Sequence, residues 1–438
     1  MRKGWLYMFL LFLAGLLNAE IKEASQEGIS IWTRRVIPLP HEFSVKKEVV
    51  LSPSDISLKL RTGAGDVEKT GFAELENLFR EKTGEVPSGK KFLILIGVLD
   101  DKGAVEGRKV GNAVRLKSLP NNQQAYIIES QGENTIIVAG LNERGVYYGI
   151  RTLYQLLEMT LTPDKAIIPL VSVVDWPDFD ERGVWNFMTD EYLPWYASYK
   201  LNFSHLSAGL VPNPVKREEN VRVRDMTGYL KRRHIRAFVE AFSITHLNFL
   251  DRYFGLYQAY PELAGKGEKA WQKANPHPQH RVPCATNPLM VKVLTEIMES
   301  AAEQGARDFS VWLSEFTSQC ECEECMKTGQ SEAETYAAIS AWKKVREKYP
   351  DFVLRIFYAI TPPKDKIIDF FSKIPIEVKL ERCGQETVSI KPRYVYANPG
   401  FDEFAARGGW VATYDAQVRT YDGRWFFPHD KGFCHPVL

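Results

Sequence analysis

The stretch Asp308–Cys325 (DFSVWLSEFTSQCECEEC) gathers the side chains best suited to chemistry. Phe309, Val311 and Leu313 alternate with Ser310, Trp312 and Ser314, the period-two pattern of a buried strand. Glu315 follows where that pattern stops, and three cysteines come next as CxCxxC at Cys320, Cys322 and Cys325. An acid at the mouth of a strand, ahead of a cysteine-bound loop, reads as a proton-transfer group held in a fixed place.

The 438 residues are 45% hydrophobic, with 56 basic and 55 acidic side chains, an ordinary globular composition with room for two or three domains. A formal charge of +1 argues against electrostatic binding of nucleic acid. The most basic run, Lys216–Arg233, is broken by Glu218, Glu219 and Asp225 and reads as a solvated loop and helix face. Arg2 and Lys3 precede the apolar run Trp5–Leu17, and Ala19 offers a small residue before Glu20, so residues 1–19 read as a signal peptide and the mature protein as exported, periplasmic or extracellular. The run is shorter than the ~20 residues of a spanning helix, and no membrane association is expected after cleavage.

The cysteines are Cys284, Cys320, Cys322, Cys325, Cys383 and Cys434. Export favours disulfides, with Cys284 paired to Cys322 or Cys325, and no cofactor; the competing reading is tetrahedral zinc on Cys284, Cys320, Cys322 and Cys325. His205, His234, His246, His277 and His280 match no helical metal pair and read as core or loop histidines.

Two kinds of element position these residues. Up to about Val174, short strands alternate with two helices: Phe92–Val98 is a central strand, Ala125–Ile128 and Thr135–Ala139 flank a turn at Gln131–Asn134, and Thr70–Thr83 and Val146–Met159 carry apolar residues at helical spacing. From Arg182 the rhythm becomes strand–helix. Strands are expected at Arg182–Phe187, Asn202–Ala208, Ile235–Phe242, the focal stretch, Phe352–Ile360, Ile376–Arg382 and Trp410–Asp415, with a long insertion at Ser243–Pro283. Seven such repeats fit a (β/α) barrel, and the absence of an eighth reads as truncation.

Ile37–Pro40, Gly145–Leu157 (GVYYGIRTLYQLL) and Ile168–Gly183 (IPLVSVVDWPDFDERG) resemble the accessory domain and domain junction of family-20 glycoside hydrolases, the β-N-acetylhexosaminidases. Tyr260–Cys325, with YPELAGKG, CATNP and the cysteine loop, resembles a second group, domain-of-unknown-function family 4838, whose loop after the fourth strand typically reads Asn-Asp-Gly before the cysteines; this chain departs from it with Leu313-Ser314-Glu315-Phe316. The first resemblance implies a (β/α)8 barrel whose fourth strand ends in an Asp-Glu pair, the Glu protonating the leaving oxygen and the Asp orienting the substrate's acetamido group. Here the pair stands as Ser314-Glu315. It also implies that Arg182 binds sugar hydroxyls, against a structural ion pair with Asp175, Asp178 or Asp180.

A glycosidase needs a second carboxylate, about 5–5.5 Å from the acid for retention or about 6.5–9.5 Å for inversion. Glu240, Asp190, Glu381 and Asp415 are candidates, with Glu240 and Asp415 preferred because each ends a strand pattern. Trp185 and Tyr414 are the aromatics expected to stack on sugar rings. The expectation is a signal peptide, an α+β accessory domain over residues 22–174, and an incomplete barrel over 175–438. Its partner would be an oligo- or polysaccharide cleaved with Glu315 as general acid, or bound without turnover.

Overall fold

Seven apolar or alternating runs pair into the first sheet: Glu20–Glu23 (β1), Glu42–Leu51 (β2), Ile56–Leu60 (β3), Phe92–Val98 (β4), Tyr126–Ser130 (β5), Thr135–Gly140 (β6) and Ala166–Asp175 (β7). Their order is β1-β2-β7-β5-β6-β4-β3, with β5 and β6 joined through the Gln131–Asn134 turn as the sequence predicts. The computed structural model describes residues 19–183, 191–207, 209–211, 217, 221–271, 280–315, 317–359, 367–383, 399–416 and 431–435. The expected signal peptide lies almost wholly outside them. The chain divides into two compact units between Asp178 and Phe179, against the break expected between Val174 and Asp175.

In the first unit the helices Gln26–Arg35 (α1), Asp66–Thr83 (α2) and Glu143–Leu157 (α3) accompany the sheet. α2 starts before Thr70 because Glu68 reaches back to the Gly65 amide at 3.0 Å, while its buried carboxylate takes two hydrogen bonds from Arg61. It ends where Gly84 takes the left-handed conformation, φ 79°. α3 starts before Val146 because the Asn142 side chain accepts from the Arg144 amide at 2.9 Å. α1 and the long β2–β7 pair were not anticipated.

The second unit is built on Phe203–Ser207 (β8), Val239–Ile244 (β9), Asp308–Trp312 (β10), Val353–Tyr358 (β11), Lys379–Cys383 (β12), Val411–Ala416 (β13) and Lys431–His435 (β14). They lie side by side in chain order, β8 to β13 all parallel and β14 antiparallel to β13. Gly183 adds a parallel bridge to Phe203, where a Cβ would lie 2.1 Å from the Phe203 carbonyl oxygen, so the Arg182-Gly183 pair needs its glycine. Helices Leu193–Ser198 (α4), Thr227–His234 (α5), Pro288–Glu303 (α6), Glu323–Thr328 (α7), Gln330–Lys348 (α8), Ile367–Ser372 (α9) and Pro399–Ala406 (α10) connect them. Sequential parallel strands with crossover helices are the winding of a (β/α) barrel. Closure into the expected eight-stranded ring is not seen among the described residues, and the last strand runs antiparallel.

Two corrections concern the third strand and its insertion. Ala237 has φ +60° and ends the preceding turn, so β9 begins at Val239 and runs to Ile244. The Ser243–Pro283 stretch carries short helical turns, with Leu247, Leu250, Leu256, Tyr260 and Leu263 buried in the same core as the barrel helices. Among the described residues, no helix is long and apolar enough to cross a membrane.

The two faces of the second sheet differ in chemistry. Phe309, Val311, Leu354, Ile356 and Leu380 join Leu294, Ile297 and Met298 of α6 in one apolar core. The other face holds an ion cluster among apolar side chains, with Arg355 entirely buried and stacked over Phe203 and Trp410. Its guanidinium donates to Glu181 at 2.7 and 2.8 Å, to Asp308 at 2.9 Å and to Glu381 at 3.3 Å, and Lys379 donates to Glu181 at 2.6 Å. Burial opposes ionisation of Glu381, but the charges of His205 and Arg355 and the hydrogen bonds from His205 and Ser310 outweigh it and hold its carboxyl at about 2. The candidate acid Glu381 is thereby a member of a structural ion cluster.

Removing Arg355 leaves three buried carboxylates without their shared cation, so Arg355→Met should cost about 3–5 kcal/mol in urea unfolding. Because Glu381 titrates below its ordinary 4.5, its contribution is fully present above pH 4.5 and is lost as pH falls towards about 2. A pH-resolved unfolding series should show that decline in the wild type, displaced to higher pH in the variant.

Candidate active site

In parallel sheets, catalytic groups gather where the strands end. β10 ends at Trp312, and Leu313, Ser314 and Glu315 run on past it. Two side chains from beyond the end of β9 hold this segment. His246 Nδ1 meets the Leu313 carbonyl at 2.7 Å, and because a carbonyl only accepts, Nδ1 carries the proton. Burial lowers the pKa of this imidazole to about 4 despite that hydrogen bond, so it is neutral. The Asn248 carboxamide closes on Glu315 from both ends, its Oδ1 accepting from the Glu315 amide at 3.0 Å and its Nδ2 donating to the Glu315 carbonyl at 3.3 Å.

A third restraint comes from α8. The Ser314 amide and hydroxyl both donate to Glu334, at 2.8 and 2.5 Å. Glu334 also accepts from Gln330 at 2.7 Å. Full burial pushes the Glu334 carboxyl up to about 7 against these hydrogen bonds, which favour its ionised form. Glu315 is therefore fixed by its backbone on one side and by its neighbour Ser314 on the other. Its own carboxyl is half-buried, and burial raises its pKa above the ordinary carboxylate value. A carboxyl in that condition stays protonated to higher pH and can act as a proton donor.

The remaining candidates are placed unevenly. Ser314, expected to face substrate, turns its hydroxyl inward to Glu334. Arg182, expected to bind sugar, directs its guanidinium to the backbone carbonyls of Phe179 at 2.6 Å and Lys200 at 2.8 Å. Those two contacts tie the segment before Gly183 to the turn ahead of β8.

Glu240 is a correction. It is the second residue of β9, whose next residue Ala241 pairs with Asp308 at the start of β10. Glu315 lies beyond the far end of that strand, and five residues at ~3.3 Å each put roughly 16 Å of strand between the two levels. That exceeds either catalytic separation. Asp415 sits differently: Trp312 pairs with Phe357, Phe357 with Glu381 and Glu381 with Ala412, so three residues on from Trp312 and from Ala412 bring Glu315 and Asp415 to the same level, three strand spacings or ~14 Å apart along the sheet. For Asp415 and Tyr414 the backbone alone is described, while Trp185 and Asp190 lie outside the described residues.

The Sγ atoms of Cys284, Cys320, Cys322 and Cys325 lie within 4.8 Å of one another, and all four are free thiols. Cys284 and Cys322 are 3.6 Å apart, well beyond the ~2.05 Å of an S–S bond, so the expected disulfide is not formed. Two surface hollows of about 290 and 390 Å³, one beside Ser44 and Glu133 and the other beside Trp342 and Glu377, are lined by none of the candidate residues. Asn248, Gln330 and Glu334 escaped sequence reasoning: Asn248 stands 67 positions from Glu315, Glu334 20 from Ser314 and Gln330 10 from Cys320, with no local motif.

Residues 33–176 match glycosyl hydrolase family 20, domain 2. The structure resembles an exo β-N-acetylglucosaminidase of Vibrio harveyi solved with N-acetylglucosamine, at TM-score 0.58 and 14% identity, covering 88% of this chain and 61% of that one. It also resembles a chitobiase of Flavobacterium johnsoniae (TM-score 0.56, 14% identity, 86% and 65% covered). A third likeness is to a β-N-acetylhexosaminidase of Streptomyces coelicolor A3(2) (TM-score 0.56, 13% identity, 91% and 79% covered). The chain is thus family-20-like, by sequence over the first unit and by fold over most of its length, and it spans about three fifths of the length of the Vibrio enzyme.

The Asn248 clamp makes a direct prediction. Asn248→Ala removes the partner of two part-buried backbone groups of Glu315 and should cost about 1 kcal/mol. Amide hydrogen exchange at Glu315 should speed up more than exchange in β8 or β12; equal protection in both proteins would contradict the clamp.

Proposed function

We propose that the chain is a glycoside hydrolase that cleaves O-glycosidic bonds of an oligo- or polysaccharide, with Glu315 as the general acid. The observation that carries this reading is a half-buried carboxyl with a raised pKa, fixed beyond the end of a parallel strand in a family-20-like fold. A glycosidic oxygen leaves poorly until it is protonated, and Glu315 supplies that proton as the C–O bond breaks. The sugar is then attacked from the opposite face. Asp415, level with Glu315 but three strands along a sheet that must curve to bring the two carboxyls within about 9.5 Å, is the proposed second carboxylate, acting as base towards water or as nucleophile.

The solved relatives are named for N-acetylglucosamine and N-acetylhexosamine substrates. Here the residue before the acid is Ser314, turned towards Glu334, so no carboxylate at that position orients an acetamido group. The proposed substrate range therefore extends to sugars without an N-acetyl substituent. Export by the N-terminal leader belongs to the same reading, which places the substrate outside the cytoplasm.

Glu315→Gln keeps the shape and removes the transferable proton. Hydrolysis of a natural oligosaccharide should fall about 10²–10⁴-fold. Aryl glycosides with activated leaving groups should lose less, because their oxygen needs little protonation. The alkaline limb of the wild-type pH–rate profile should vanish in the variant. Equal rates in both proteins would overturn the assignment, and glycan-array binding without cleavage by either would show a carbohydrate-binding barrel instead.

A further inference from the structure

We propose that Cys284, Cys320, Cys322 and Cys325 bind one zinc ion in a closed tetrathiolate site, and that this ion anchors the loop carrying Glu315. Four sulfurs around zinc at ~2.3 Å stand ~3.8 Å from one another along the tetrahedral edges. The four Sγ atoms here lie within 4.8 Å of one another, Cys284 and Cys322 at 3.6 Å, so the ion fits with small adjustments. Cys320 and Cys325 are fully buried, and Ala270 and Val282 pack over the cluster. Four protein ligands in a covered site leave no open position, which makes the site structural.

The surroundings suit thiolates. The Lys266 amide donates to Cys320 Sγ at 3.3 Å and the Cys325 amide to Cys322 Sγ at 3.4 Å. The Thr286 hydroxyl lies 3.2 Å from Cys325 Sγ. Such outer hydrogen bonds offset the charge of a site in which four thiols release their protons to solvent and bind a dipositive ion, leaving two net negative charges. The ligands come from two segments, Cys284 between the insertion and α6, and Cys320, Cys322 and Cys325 from the loop after β10 and the first turn of α7, so the ion cross-links the end of the insertion to the β10 loop.

A continuous chain of contacts joins this cross-link to the acid. The Cys320 amide donates to Gln330 Oε1 at 2.9 Å. Gln330 Nε2 donates to the Pro283 carbonyl, beside Cys284, at 3.0 Å and to Glu334 at 2.7 Å. Glu334 receives both donors of Ser314, the residue before Glu315. Metal and Asn248 thus hold opposite ends of one loop.

The test uses the full chain, purified without added metal. Elemental analysis should find about one zinc per chain. The four thiols should resist a thiol reagent until a chelator is added, and cobalt exchange should give the charge-transfer and ligand-field bands of a tetrahedral thiolate site. Two disulfides, seen as a mass deficit of four hydrogens, or four reactive thiols that retain no zinc, would overturn the proposal. Cys284→Ser and Cys322→Ser should lose the metal. Should those variants not fold, the wild type stripped and reloaded with zinc decides: exchange of the 313–330 amides should accelerate on stripping and recover on reloading. Unchanged exchange would overturn the link to the Glu315 loop.

Discussion

The second unit depends on the buried guanidinium of Arg355. A parallel sheet packed on one face by helices must do something with its other face, and here that face buries a cluster of charge among apolar side chains. Arg355 binds Glu181, Asp308 and Glu381, which come from the segment before the first strand, from β10 and from β12. One side chain therefore ties together segments separated by up to 200 residues (Glu181 to Glu381). Carboxylates in such a place are tolerable only as a paired set. Asp308 and Lys379 open their strands, so the cluster lies towards the starting ends of the strands and leaves the opposite ends to the loops.

The contrast between Glu381 and Glu315 shows how one sheet gives two acids opposite characters. Glu381 is surrounded by positive charge and donors and is held at about 2. Glu315, beyond the strand end, is moved upward by burial. Acids whose environments push them apart in this way divide structural from proton-donating roles. Glu334 is a third case, a buried carboxyl raised to about 7 that receives the Ser314 donors and braces the loop from behind.

Much of the architecture was legible because parallel strands and amphipathic helices carry strong periodicity. The strands from Phe203 to Ala416 and the helices Asp66–Thr83, Glu143–Leu157 and Pro288–Glu303 coincide with apolar runs or stripes. Boundaries were less legible. The apolar run through Ala237 and Phe238 conceals a turn that only the left-handed Ala237 reveals, and this displaced Glu240 from the strand tip to its base. The acid Glu315 was visible because it interrupts an alternating pattern. Its supports were not, because Asn248 and Glu334 are polar residues in stretches with no motif, and their meaning is a long-range contact. The cysteines were visible as a set, but spacing alone could not separate pairing from clustering; four sulfurs in one place do.

The Asn248 carboxamide meets the Glu315 amide and carbonyl as another peptide group would, so the sheet's ladder is in effect lengthened by one rung without a further strand. A rung made by a side chain is addressed to one backbone position and cannot slide. Inserting or deleting a residue between Trp312 and Glu315 would present a different peptide unit to Asn248 and carry the carboxyl to another bearing. The clamp therefore fixes how many residues separate the acid from the strand and places no such constraint on the residues after it.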